Sequence, residues 1–314
     1  MTAPLRFKII PREEIEEFIK LPTQWVDNYL ETRPDVLDRI DIWCPNSRSQ
    51  EKPSRFDLFE EVEEEDEEVI YVFGIYLELF EFNNLKQEML RCIDYFCKKY
   101  SKNRVVFQWN QDNDWSAYGE YVEKYENAWV INFGYTSQRF KRNIIVPFWT
   151  VNIEPHKEPK KYYASFIGSV NNGLRYSLAH AIVNRGDPQF TYLSNLPSEK
   201  FYKEISASIY TLCPQGGPAD GGFSYRFFES LHLNTIPVLL VDRLVFPYEG
   251  EVDYDNLCLR FPTRELDGKL DKLKDYLREN ENRVDIMINY ISKVRNKFTL
   301  KGVQEEVYKC ISKA

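Results

Sequence analysis

A chain of 314 residues, 43% hydrophobic and 15% aromatic, has material for two cores of ordinary domain size and is too apolar for wholesale disorder. Its formal charge of −8 repels a phosphate backbone, which excludes nucleic-acid binding through a general basic surface and leaves only a local cationic pocket to look for. Six cysteines form no CxxC pair and no long apolar run reads as a membrane span, so the expectation is a reducing, cytoplasmic setting without a zinc site or disulfide framework.

Residues 12 to 32 read as a helical entry. Ser47 to Glu68 is a polar stretch ending in EEVEEEDEEV, where consecutive like charges repel; it reads as a solvated loop and is given no chemistry. VIYVFGIYLELF has the β-branched and aromatic content of a strand, LKQEMLRCIDYFCKKY has helical spacing, and RVVFQWN is a strand again. AYGEYVEKYENA follows as helix, then AWVINFG and NIIVPFW as strands. The proline- and lysine-bearing segment TVNIEPHKEPKKYY reads as a connection between domains.

A second alternation begins with the strand YYASFIGS and the helix LRYSLAHAIVNRG, then the strand FTYLS, the helix PSEKFYKEISAS and the strand IYTLCPQG. A glycine-rich loop, the helix SYRFFESLHL, the strand TIPVLLV and a short strand in NLCLRF come next, and the remainder is helical. Repeated strand–helix alternation predicts α/β architecture with parallel sheets, whose ligands gather at the carboxyl ends of strands.

The loop concentrates Gly216, Gly217, Gly221 and Gly222 in seven positions. Glycines let backbone N–H groups approach an anion, and a helix N-terminus favours phosphate. Ser224 is placed to cap the helix that follows, with Tyr225 opening it. Arg226 then lies in its first turn and Glu229 three residues on, on the same face. The pair offers a cation for a diphosphate and a carboxylate for ribose hydroxyls. The competing reading is an ordinary long turn followed by a surface ion pair worth under about 1 kcal/mol. The run is neither GxGxxG nor a Walker loop.

CPQGGPADGGFSYRFFESLHLNTIPVLL, followed by Val245-Phe246-Pro247-Tyr248-Glu249, resembles the donor-binding signature of exostosin-type glycosyltransferases. FIGSVNNGLRYSL is similar to the same family's Phe-x-Gly segment, and NIIVPFW resembles its Val-Ile-Pro strand. The resemblance implies the GT-B fold, two Rossmann-like parallel-sheet domains facing across a cleft. Residues 1–150 would bind acceptor, residues 151–285 would bind nucleotide sugar, and residues 286–314 would form a helical segment packing back toward the first domain. It implies that Arg226 and Arg175 meet the diphosphate and Glu229 the ribose, with Ser224, Tyr225, Gly221 and Gly222 completing the donor cradle. No metal or other cofactor is implied, DND at 112–114 having only the form of a metal-binding triplet. The loop is longer than the family's usual run, and Gln215 stands where an arginine is common.

An inverting transfer needs a base for the acceptor hydroxyl. WNQDNDW follows the strand RVVFQ, so Asp112 is the first choice, Asp114 the second and Glu81 a distant third; turn formation explains each aspartate singly as well. Trp109 and Trp115 are candidates to stack on an acceptor sugar, or to belong to the core. Thr191, Tyr192 and Ser194 end a strand where they could meet the nucleoside base or simply turn the chain. His156, His180 and His232 have no carboxylate at a useful spacing and are given no catalytic role, though His156, in the connection between domains, could touch ligand.

The expectation is therefore an inverting, metal-independent transferase moving a sugar from a UDP-sugar to a glycan hydroxyl. Xylose is the first choice of donor, galactose and glucuronic acid being others. The partners expected are these two substrates, with no nucleic acid and no membrane span. The absence of an anchor fits a bacterial or viral member, such as the xylosyltransferases of large algal viruses, acting in the host cytoplasm. A catalytically silent nucleotide-sugar or glycan binder, and a retaining transferase of the same architecture, remain open alternatives.

Overall fold

The computed structural model describes residues 4–11, 14, 15, 18, 59–63, 66, 68–73, 86–110, 121–133, 142–147, 153, 158–215, 223–242, 244–266, 268 and 270–312. Two compact units divide the chain: Met1–Val146 with Gln304–Ala314, and Pro147–Val303.

The first unit is built on a six-stranded, all-parallel sheet. Its strands are β1 (Leu5–Ile9), β2 (Phe59–Glu61), β3 (Ile70–Phe73), β4 (Val105–Asn110), β5 (Ala128–Phe133) and β6 (Asn143–Val146), in the order β2-β1-β3-β4-β5-β6. Helix α1 (Lys86–Lys99) repeats apolar side chains at Met89, Cys92, Ile93, Phe96 and Cys97, all buried against Tyr71, Phe73, Val105 and Phe107 of the sheet. That three-and-four spacing makes one apolar stripe. Val72 and Val106 alternate with those sheet residues, and Ile131 with the cluster residue Val130, yet all three are buried as well, as in a parallel sheet covered on both faces.

Two strands depart from the sequence reading. β1 carries Arg6 and Lys8 between its apolar residues, and β2 lies inside the acidic stretch expected to be only a solvated loop. Pairing across space decides both. Arg6 forms an ion pair with Asp66, and Lys8 donates to the Glu63 carbonyl at 3.3 Å. β2 forms the sheet edge, where acidic residues discourage pairing with another chain.

The second unit holds a five-stranded, all-parallel sheet of β7 (Tyr162–Ile167), β8 (Phe190–Leu193), β9 (Ser208–Pro214), β10 (Ile236–Leu240) and β11 (Leu259–Phe261), in the order β11-β10-β9-β7-β8. Between the strands come α2 (Gly173–Arg185), α3 (Ser198–Ser206), α4 (Tyr225–His232) and α5 (Tyr254–Leu257). After them run α6 (Asp271–Glu279) and α7 (Val284–Val294), then α8 (Leu300–Ser312), which crosses from the second unit into the first. Within the first unit, Arg104 donates to the Ile311 carbonyl at 2.8 Å.

Lys160, in the segment read as a connection, does more than connect. Its ammonium donates to the carbonyls of Ser206, Ser208 and Asn234 at 2.9, 2.8 and 2.7 Å. It thereby ties the approach to β7 to the entries of β9 and β10.

The five cysteines among the described residues are free. No helix among them is long and apolar enough to cross a membrane.

Candidate functional site

The register of the second sheet sets out the site. Ser165 pairs with Thr211, Ile167 with Leu193, and Pro214 with Leu240. Counting forward from these pairs, Ser194, Gly168, Pro214 and Leu240 stand in one row across the carboxyl edge. The Gly168 amide continues the ladder, donating to the Leu193 carbonyl at 2.9 Å. Parallel α/β sheets collect ligands at this edge because strand ends and helix N-termini converge there.

Two helices open toward that row. Asn172 caps α2, its Oδ1 accepting from the Arg175 amide at 2.9 Å, and the helix ends at Gly186 in the left-handed conformation (φ 60°). Arg175 is buried. Its Nε donates to the Gln215 carbonyl at 2.9 Å and its Nη1 to Asn171 Oδ1 at 2.9 Å, while Asn172 Nδ2 reaches the same carbonyl at 3.3 Å. The stem of the glycine loop is thus held by its backbone oxygen, which any residue at position 215 supplies.

Ser224 caps α4 as expected, accepting from the Arg226 amide at 3.4 Å. Arg226 and Glu229 are only 4% and 6% exposed, which rules out the solvated surface ion pair. Arg226 Nη1 donates to Ser224 Oγ at 3.3 Å, and its guanidinium carbon lies 5.2 Å from the Phe166 ring and 6.0 Å from the Phe201 ring. A guanidinium over an aromatic face gains about 0.5–2 kcal/mol, against a desolvation cost of several kcal/mol for a buried charge.

Packing holds α4 in place. Phe223, Phe227 and Phe228 form a cluster with centroid separations of 5.0–5.1 Å, Phe228 meets Phe298 at 5.8 Å, and Phe223 meets Phe246 at 5.7 Å. Tyr248, beside Phe298, donates to the Lys297 carbonyl at 2.7 Å. The aromatic residues of the Val-Phe-Pro-Tyr-Glu segment therefore serve the helix that carries Arg226 and Glu229.

The other expected donor residues separate. Tyr192 stacks on Phe166 with centroids 5.5 Å apart and belongs to the Arg226 surroundings. Thr191 pairs with Ser165 and, by strand alternation, faces the opposite side of the sheet from Tyr192. Tyr225 is half-buried at the start of α4. Gly221 and Gly222 lie outside the described residues, as do Asp112, Asp114, Trp115, Glu81 and His156. The backbone of Trp109 pairs with Asn132 near the end of β4.

Cys213, below α4, is buried and its thiol is pushed up to about 12 by that burial, which keeps it protonated. Among the described residues no group of three side chains is arranged to hold a metal ion. Asp253-Tyr254-Asp255 has the DxD form but a structural use: Asp253 caps α5 and Asp255 pairs with Arg260. His180 is exposed and stacks on Tyr176. Phe166 and Gly168 entered the sequence reading only as the Phe-x-Gly of the family resemblance, with no role given to either; Asn171, Asn172 and Phe201 were not singled out, and of these only Asn172, a cap residue before a helix, carried a local signal.

Comparison with known proteins adds an independent line. The chain is 29% identical to the probable glucuronoxylan glucuronosyltransferase IRX7 of Arabidopsis thaliana over 92 residues, 29% of this chain and 19% of the plant protein. It therefore matches only about a fifth of that relative's length. Among solved structures it is similar to the pneumococcal O-GlcNAc transferase GtfA in complex with UDP and GlcNAc (12% identity, 78% of this chain and 56% of that one, TM-score 0.44). It is also similar to Anabaena Alr3699/HepE in complex with UDP-glucose (10% identity, 79% and 92%, TM-score 0.42). Likenesses with TM-scores below 0.5 fix neither fold nor substrate. The model of the exostosin GT47 domain matches residues 111–277. That span is more than half of the chain and includes Arg175, the glycine loop and the whole of α4, so the chain belongs to the exostosin GT47 family.

Proposed function

We propose that the chain is a glycosyltransferase that moves a sugar from a UDP-sugar to a hydroxyl of a glycan, with inversion and without a metal ion. The observation that carries the reading is Arg226, a buried guanidinium in the first turn of α4, held at the carboxyl edge of the sheet directly after the glycine loop. A diphosphate at that edge meets the guanidinium and the helix N-terminus together. Arg175, at the loop stem, adds a second cation. Two fixed cations stabilise the departing UDP where charge develops, the task a metal ion performs in other transferases. Glu229, one turn on, accepts from the ribose hydroxyls.

In the transfer, the acceptor oxygen attacks the anomeric carbon as the bond to the diphosphate breaks. The acceptor's proton passes to Asp112, with Asp114 the alternative, and the electron pair leaves on UDP. Xylose is the first donor to try.

The test is a panel of UDP- and GDP-sugars scored by thermal stabilisation of the full chain, since a ligand bound only by the native state raises its melting temperature. UDP-sugars should raise it, and Arg226→Ala should reduce the rise and cut kcat/KM about 10²–10³-fold. No shift with any nucleotide sugar overturns the proposal. Product with retained anomeric configuration overturns the inverting mechanism, and activity lost to a chelator and restored by a divalent cation overturns metal independence.

A further inference from the structure

The space occupied by Arg226 is defined by a residue with no side chain. Gly168 has φ +151°, a conformation that L side chains rarely adopt, and a Cβ built on it would lie 1.8 Å from Arg226 Nη2 and 2.8 Å from Cζ. The guanidinium therefore lies against the backbone at the end of β7. Phe166, two residues earlier on the same strand, offers its ring at 5.2 Å, with Phe201 at 6.0 Å, and Ser224 Oγ receives Nη1 at 3.3 Å.

We infer that Gly168 is a positioning residue: its missing side chain lets the Arg226 guanidinium settle at the carboxyl edge in the one place where it meets a diphosphate. The inference rests on the diphosphate role proposed for Arg226. A methyl group at 168 must stand at least about 3.4 Å from its neighbours for ordinary contact, so the guanidinium has to move by more than 1 Å. The group in the way is the far end of a flexible side chain, so the contact is relieved by moving Arg226; the backbone strain of a side chain at φ +151° is a separate cost, the same with or without Arg226. Misplacement of a binding group by 1 Å can cost about 10²-fold in rate.

The experiment is a double-mutant cycle on UDP affinity by titration calorimetry, using the full chain as wild type, Gly168→Ala, Arg226→Ala and the double variant. Gly168→Ala should weaken UDP binding about tenfold or more, and the double variant should bind no worse than Arg226→Ala alone, because a residue acting through another adds nothing once that other is gone. Wild-type affinity in Gly168→Ala, or a Gly168→Ala penalty undiminished without Arg226, overturns the inference.

Should Gly168→Ala fail to fold, the pair Gly168→Ala/Arg226→Lys is decisive, since lysine has no second nitrogen to meet the methyl group. Both variants carry the same backbone strain at φ +151°, so the difference between them is read: a higher refolded yield or melting temperature with Arg226→Lys supports the inference, and one no higher overturns it. A crystal structure of Gly168→Ala separates the two proposals: a guanidinium still over Phe166 overturns the role of Gly168, whatever UDP does. If Arg226→Ala leaves UDP affinity unchanged, the diphosphate assignment fails, and a displaced guanidinium in the Gly168→Ala structure still upholds the positioning.

Discussion

Arg175 holds the glycine loop by its stem, its Nε donating to the backbone carbonyl of Gln215 at 2.9 Å across forty residues of sequence. The same carbonyl accepts from Asn172, so the first turn of α2 and the end of β9 are fixed to each other. Arg175→Ala removes a charge-assisted hydrogen bond from a partly buried carbonyl, at a cost of about 1.5–3 kcal/mol. The expected outcome is a melting temperature lower by several degrees together with weaker UDP binding. Gln215→Arg, which keeps the carbonyl, should leave the melting temperature within a degree or two.

His232 ends the helix that begins beside Arg226, and it is buried with no partner for Nε2. Burial first, and then the nearby Arg295 charge, push its pKa down to about 4, against a smaller opposing effect of a hydrogen bond to the Phe298 backbone. The unfolded chain takes up this proton near pH 6.5 and the folded chain only near 4. Stability is therefore complete above pH 6.5 and falls as pH drops toward 4, by up to about 3 kcal/mol. Chemical denaturation at pH 7.5, 6 and 4.5 should record the loss, and His232→Asn should flatten it.

Asp187, just beyond the end of α2, pairs with Lys274 of α6, both side chains being 13% exposed, and accepts from the Gln189 amide at 3.0 Å. Lys274 before all else holds its carboxyl below the usual range. This contribution is present above about pH 4 and lost as pH falls through the lowered value. Asp187→Asn should lower the stability of the second unit by about 1–3 kcal/mol without changing affinity for UDP. Urea unfolding and calorimetry in parallel check both halves of that expectation.

Asp112 is the base in the proposed transfer, so Asp112→Asn should reduce kcat by about 10²–10⁴-fold while donor KM stays near wild type. The same loss in Asp114→Asn, with Asp112→Asn near wild type, assigns the base to Asp114. Wild-type turnover in both variants removes the base from these two positions.

Legibility from sequence followed the range of the forces involved. In the second unit most strands and helices bear their own signal, α5 excepted, whose last two residues fall in NLCLRF, read as strand. YYASFI and IPVLL are runs rich in aromatic or branched apolar side chains, while SEKFYKEIS repeats its apolar positions at helical spacing. β1 and β2 do not. LRFKI carries two cations and FEE is three residues in an acidic run, and such segments become strands only because neighbours complete their ladders. Lys160 likewise reads as linker until the carbonyls of Ser206, Ser208 and Asn234 gather around it.

The glycine-loop helix shows the same division at the site. Its order along the chain already contained the cap at Ser224, the cation at Arg226 and the carboxylate at Glu229, because capping and the three-residue helical offset are local rules. What lies opposite that helix was beyond local rules. Strand pairing between β7 and β9, forty-six residues apart, brings Gly168 level with Pro214 and under the guanidinium, and sets the Gln215 carbonyl within reach of Arg175. Residue types and their local spacing thus determined the strand–helix alternation and the cation at the head of α4. Only tertiary structure decided where that cation rests, since its place is set by a sheet register and by a side chain that Gly168 does not have.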